Sequence, residues 1–294
     1  MPHRSSPAYV GLTVLWGLSF LLVRAVVDGF GWATAVSLSC LLIGLTVAVL
    51  AVLKGATLRY RLRWKRLLLL GMGIAVQLMG LAISVAHLGT ALAAAAVGTV
   101  PLFAAVIGQM LGLERITARA AAGLVSGFIG IVLVVLHPAG GISWDFLIGM
   151  FAGLVSAIAG AMTSRYAVAR LSSCRPAELV SAGFLVAGVV TAPLALMFPG
   201  PSDVHSLHWL GLLLLGVVIG GVGYSMELGL RESSGSLFAT SARSGATIVA
   251  VVLGIVFLRE SLSFGQLVGI LLLIGGCVLV LGLVPSRPVA ARRR

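Results

Sequence analysis

Leu111-Gly112-Leu113-Glu114-Arg115-Ile116-Thr117, followed by an apolar run to His137, returns 146 residues later as Phe257-Leu258-Arg259-Glu260-Ser261-Leu262-Ser263 with its own apolar run. At that same offset of 146, Gly123 matches Gly269 and Gly130 matches Gly276. Each copy follows a stretch rich in small residues, 89–105 in one half and 235–250 in the other. The chain is therefore read as two related halves. Their apolar runs are long enough to cross a hydrocarbon core of about 30 Å as helices.

Such runs fill almost the whole chain. Breaks in charge and at Gly and Pro place spans at 8–28, 32–53, 67–87, 91–111, 118–137, 146–167, 179–198, 209–229, 236–257 and 264–284. A soluble protein needs a surface with about one quarter of its residues ionisable. Here the charged share is 10%, the apolar share 60% and the mean hydropathy +1.15. The expected class is an all-α membrane protein with no separate soluble domain.

Charge placement sets the expected orientation. With the N-terminus in the cytoplasm, 17 of the 20 Lys and Arg residues fall on inner segments, most densely from Lys54 to Arg66. Only Arg259 falls in an outer loop, while Arg24 and Arg243 lie within spans. This is the positive-inside bias, and a missed span would scramble it. The first apolar run is accordingly read as a span and not a signal peptide, since its removal would reverse every loop. Both termini are expected in the cytoplasm, and the net charge of +12 is read as topology and lipid contact, with no nucleic-acid partner. Cys40, Cys174 and Cys277 are an odd set and imply no disulfide framework.

Five spans per half is an odd number, so the second half must be inverted relative to the first. The expected architecture is ten transmembrane helices built from two inverted five-helix repeats around a central cavity: 1–141 as the first repeat, 142–284 as the second, and 285–294 as a basic cytoplasmic tail. Glu114 then faces the cytoplasm and Glu260 the outside. Inverted repeats are the architecture of alternating-access transporters, whose sites lie near the midplane between halves.

Leu15-Trp16-Gly17-Leu18-Ser19-Phe20, the Ala-rich fourth span running into Pro101, and the Leu-x-Glu end followed by spaced glycines resemble EamA-type transporters of the drug/metabolite transporter superfamily. The resemblance covers nearly the whole chain. It implies ten helices around a central cavity and export of small metabolites, often amino acids or related compounds. The second half departs from the pattern, with Thr247 where the first has Pro101 and Arg243 opposite Val97.

Ionisable groups inside a bilayer are costly unless paired or facing water, which makes each one a candidate. Arg243, near Ser241, Ser244 and Thr247, either grips a substrate carboxylate through its fork or pairs with Glu227. Glu227 follows Tyr224 by three residues, on roughly the same helix face. Trp16, Phe20 and Arg24 form one stripe, suited to an amphipathic substrate or to interfacial anchoring. Gly73, Gln77, Gly80, Ser84 and His87 form a small, weakly polar face, with Gln77 its cavity candidate and close helix packing the alternative. His87 sits at a span end, where an interfacial histidine is ordinary. Pro101 should disturb the fourth span and free a backbone carbonyl. Gly123 and Gly127, Gly216 and Gly220, Gly265 and Gly269, and the Ser236, Thr240 and Ser244 stripe allow close helix contact.

The candidate substrate-binding set is thus Trp16, Phe20, Gln77, Pro101, Tyr224, Glu227 and Arg243, with no catalytic, cofactor or metal residue. No Walker lysine or phosphate loop is present, so the driving force is an ion gradient or the substrate's own gradient. Proton coupling through Glu227 and facilitated diffusion both stay open. The expected activity is export of amino acids or similar metabolites across the inner membrane. Drug-like or nucleotide-precursor cargo is one alternative. A membrane enzyme for lipid-linked substrates, using Asp145, Asp203, His205 and His208, is another. The expected partners are a small-molecule substrate and membrane lipids.

Overall fold

The computed structural model describes residues 6–56, 58, 64–112, 116–201, 203–234 and 236–281, and within these all regular secondary structure is helical. Glu114, the tail from Pro285, and the side chains of the Ser236, Thr240 and Ser244 stripe lie outside the described residues. The helices are α1 (Ser6–Leu53), α2 (Trp64–Leu88), α3 (Thr90–Val97), α4 (Val100–Met110), α5 (Ala118–Leu136), α6 (Trp144–Leu171), α7 (Pro176–Met197), α8 (Ser206–Leu213), α9 (Tyr224–Ser234), α10 (Ser236–Phe257) and α11 (Phe264–Leu281). A π-helical segment, Leu214–Gly223, joins α8 to α9. Among the described residues, eight helical stretches are long and apolar enough to cross a membrane.

Local sequence explains where the helices start. Thr117 accepts from Ala120 N at the head of α5, and Ser143 accepts from Phe146 N at the head of α6. Pro176 opens α7, where a missing N–H costs nothing. At α11, Ser263 and Gln266 form a reciprocal box, each side chain accepting from the other's backbone N–H at 3.1 and 2.9 Å.

Two spans differ from expectation, and the first break falls in the expected gap: α1 runs on to Phe30 and turns at Gly31, whose φ of 73° is left-handed. Arg24 and Asp28, paired at 2.8 Å one turn apart, hold the helix up to that turn. A Cβ at Gly31 would also sit 2.8 Å from Gly200 Cα, so glycine is required twice over. The fourth span is not continuous: α3 ends at Val97, Gly98 and Thr99 form the joint, and Pro101 lies in the first turn of α4. Proline has no N–H to continue the ladder from Val97, so the interruption falls three residues before it. The eighth span is π-helical for ten residues, a feature absent from the periodicity.

Packing follows the glycines. α5 and α11 cross antiparallel, with Gly123 on Gly276 and Gly130 on Gly269, where an added Cβ would fall 2.4–2.7 Å from a facing carbonyl oxygen. Ser126 Oγ donates to Leu272 O at 3.0 Å in the same seam. α1 packs on α7 through Gly44 against Leu185 and Gly188 against Leu41. Gly216 and Gly220 admit Leu42 and Ile43 of α1. The outer faces carry large exposed hydrophobics such as Val125, Ile129 and Val132 on α5 and Leu271 and Val278 on α11, as a lipid-facing surface requires.

Candidate functional site

Close approach of α1 and α10 builds the site. Gly17 meets Val249 and Gly245 meets Thr13, which brings the second half of the chain against the start of the first. Trp16 on α1 and Arg243 on α10 thereby face each other. The π-helical segment ends at Tyr224, so its wider winding sets the direction in which Tyr224 and Glu227 project from α9.

Arg243 Nη2 and Nε both donate to Glu227 Oε2, at 2.9 and 3.3 Å. The Glu227 side chain is 2% exposed and that of Arg243 39%, so the acid is buried while the cation reaches accessible space. The guanidinium carbon lies 4.4 Å from the Trp16 ring centroid and 5.6 Å from that of Tyr224. Such stacking stabilises a desolvated cation through the ring quadrupole. Trp16 and Tyr224 meet edge-to-face at 5.0 Å, and Phe184 of α7 meets Tyr224 the same way at 5.3 Å. Among the described residues, Trp16 Nε1 is buried without a hydrogen-bond partner. Leu12, Leu230 and Ala242 close the apolar floor beside it.

The arrangement is a charge-neutral pair in an aromatic box, with an unfilled donor alongside. A buried pair is costly to break by removing one member, yet either member can exchange its partner for a ligand group of the same charge. A ligand carboxylate can compete with Glu227 for Arg243, and a ligand cation can compete with Arg243 for Glu227.

Trp16, Tyr224, Glu227 and Arg243 thus come together. The other candidates lie elsewhere. Phe20 is half-buried one turn further along α1. Arg24, at the end of the same stripe, is held by Asp28 and by Val85 O at 3.0 Å, which keeps it out of the aromatic box. Gln77 packs its amide against Gly160 of α6, and Gly73 and Gly80 of the same face meet Thr163 and Ser156. That face is a helix–helix seam. Pro101 lies beside the α3–α4 joint, where Cys277 Sγ donates to Gly98 O at 3.4 Å and Thr247 packs on Gly98. The side chains of Ser241 and Ser244 lie outside the described residues.

Phe184 is absent from the sequence-derived set. A lone aromatic in an apolar helix carries no signal until packing shows what it touches. Glu227 is also not the sole buried carboxylate, since Glu178 in the first turn of α7 is 7% exposed. His87 pairs with Asp145 at 3.1 Å beside a cavity of about 250 Å³ lined by the 138–141 loop and Gln266. His205 and His208 stack on each other and cap α8, so these groups do not converge with Asp145.

Comparison with known proteins agrees with this architecture. The sequence profile of the EamA-like transporter family matches residues 8–136 and again 147–282. No curated protein matches the sequence. Among solved structures, a crystal structure described only as that of a protein aligns with a TM-score of 0.67 at 20% identity, covering 94% of this chain and 96% of that one. At that identity the likeness is one of fold.

Proposed function

The chain belongs to the EamA-like transporter family, and from that premise we propose that it exports amino acids or similar small metabolites across the inner membrane by alternating access. Membrane transport of a small solute follows from the family. The cargo, the direction and the cycle are this proposal's own content.

The cycle requires ten crossings in two inverted halves, and the breaks and packing of the helices support that reading. The break at Gly31 divides α1 into two segments long enough to span, and α3 with α4, and α8 with α9, each serve as one interrupted crossing. The packing pairs exchange under the repeat offset. Adding 146 to Gly123 and Gly130 gives Gly269 and Gly276, so the contacts 123–276 and 130–269 map onto each other. The Ser126–Leu272 hydrogen bond, whose residues are 146 apart, maps onto itself. A two-fold axis in the membrane plane would produce this exchange, which supports inverted halves.

The observation that carries the cargo reading is the Arg243–Glu227 pair inside the Trp16, Tyr224 and Phe184 box. A zwitterion with an apolar body offers a carboxylate to Arg243, an ammonium to Glu227 and a side chain to the rings. A drug-like cation would meet Arg243 before it reached the buried Glu227, which counts against that cargo. The test is uptake by liposomes holding the purified protein, using labelled neutral, acidic and aromatic amino acids with and without a pH gradient. Saturable uptake that disappears in Arg243→Ala supports the reading. Normal rate and affinity in a folded Arg243→Leu protein would overturn it.

A further inference from the structure

Glu260, in the turn between α10 and α11, reaches across to the N-terminus of α3. Its Oε1 accepts from Thr90 N at 2.6 Å and its Oε2 from Ala91 N at 2.7 Å. The first N–H groups of a helix lack intrahelical partners and carry positive dipole, so a carboxylate there makes strong, charge-assisted bonds. Helices are usually capped by their own N-cap residue, but here that residue is Gly89, which has no side chain to offer. The carboxylate comes instead from 170 residues away, in the other half of the chain.

The surroundings are shaped to admit it. Gly89 has φ +81°, and a Cβ there would lie 2.7 Å from Glu260 Oε1. Gly254, six residues before Glu260, would place a Cβ 2.8 Å from Oε2 and 3.0 Å from Ala91 Cβ, so it lets α10 close onto α3. The closed arrangement also carries a cost. Among the described residues, Ser84 Oγ and Thr90 Oγ1, on either side of the α2–α3 turn, are buried without hydrogen-bond partners. Unsatisfied hydroxyls oppose the closed state, and two charge-assisted hydrogen bonds oppose its opening. That balance is what a two-state element needs.

The rest of the bundle has the matching asymmetry. α10 packs along α3 at the Glu260 end and not comparably on α4, while Arg243, toward the other end of α10, keeps a 39% exposed side chain. On the Glu260 side of Arg243, α10 packs against α3, through Gly254 on Ala91 and Thr247 on Gly98.

We propose that Glu260 is a gating residue. Its carboxylate latches the α10–α11 turn to the head of α3, and it must leave Thr90 and Ala91 before the site opens at that end. The proposal rests on the alternating-access reading above. It adds a named residue and contact that the cycle must break.

The test reads access without needing a substrate. Thr247, 4% exposed and packed on Gly98 beneath the latch, is replaced by cysteine in a chain whose Cys40, Cys174 and Cys277 are serine. A membrane-impermeant maleimide is then applied from each face. Gly140→Cys in parallel membranes identifies the face that carries Glu260. With Glu260 intact, labelling of position 247 from that face should be slow. Glu260→Ala should speed it about tenfold or more, and Glu260→Gln, which keeps the shape but loses an acceptor, should speed it too, because losing charged hydrogen bonds raises the open fraction by at least that factor. Melting temperature in detergent is measured alongside. Unchanged labelling from the Glu260 face in the folded variants, even with a lowered melting temperature, overturns the proposal and leaves Glu260 a structural cap. If Glu260→Ala does not fold, Glu260→Gln decides alone. Failure of the amino-acid uptake screen is a separate result, since labelling reports the gate whatever the cargo.

Discussion

Arg243 shows how far single residues can be read. An arginine in an apolar run needs a partner, and Glu227 and Tyr224 share one helix face, so three members of the box are legible from cost and spacing alone. Trp16 is legible as an aromatic but its partner is not, because the contact joins residues 227 positions apart that meet only where Gly17 lets α10 approach. Gln77 misleads for the same reason: Gly73 and Gly80, which suggested a cavity face, serve packing against α6. The pair makes a clear prediction. Arg243→Leu removes the cation from a carboxylate that is 2% exposed and should cost about 3–5 kcal/mol, whereas the double change Arg243→Leu with Glu227→Leu should recover most of that stability without recovering uptake. Chemical or thermal unfolding in detergent checks the first part and liposome uptake the second. Trp16→Phe keeps a ring under the guanidinium but deletes the buried, unpartnered N–H. Stability should hold or rise slightly, since an unsatisfied donor is removed. If cargo uses that donor, KM should rise about tenfold with the maximal rate little changed, which a concentration series would measure.

At the scale of elements, hydropathy locates the helices and misses their interruptions. Periodicity reports how apolar a stretch is. It does not report where a backbone hydrogen bond is skipped, and the joints at Gly31, at Gly98-Thr99 and along 214–223 are all of that kind. The Gly31 joint falls in the gap expected between the first two spans, and Pro101 points to a joint three residues upstream; the π-helical stretch leaves no sign. Gly31→Ala should destabilise the protein by about 1–3 kcal/mol, because the new residue would hold a left-handed φ while its Cβ pressed on Gly200. A lowered unfolding temperature with unaltered membrane insertion is the expected signature. The π-helical segment allows a sharper test. Deleting Val217, an exposed residue within it, should let the stretch relax to α-helix and rotate Tyr224 and Glu227 away from Arg243. Helical content by circular dichroism should then stay near wild type while uptake falls to background. Retained uptake would show that the π-helical winding does not aim the site.

For the whole molecule, the proposed two-fold relation between halves and the charge asymmetry of the sequence are independent arguments that must agree on topology. The contacts Gly31–Gly200, Arg24–Val85, His87–Asp145 and Glu260–Thr90 gather the loops near residues 30, 87, 140, 200 and 260 at one end of the bundle. The Arg66–Arg170 contact marks the other end. A hydrocarbon slab between the ends leaves no intermediate arrangement, since backbone cannot stop midway in lipid without a protein or water partner. Single cysteines at Lys54, Gly140, Ser173 and Asp203 should therefore alternate in their access to an impermeant maleimide. Positions 140 and 203 should react in intact cells, and positions 54 and 173 only after the membrane is permeabilised. The positive-inside bias supplies the sign of that pattern and the contacts supply its alternation, so the two can fail separately. A pattern that alternates with the opposite sign would refute the cytoplasmic termini and leave the inverted halves standing. A pattern that does not alternate would refute the ten crossings themselves, because a half that loses a crossing has an even number of spans and no longer inverts the other.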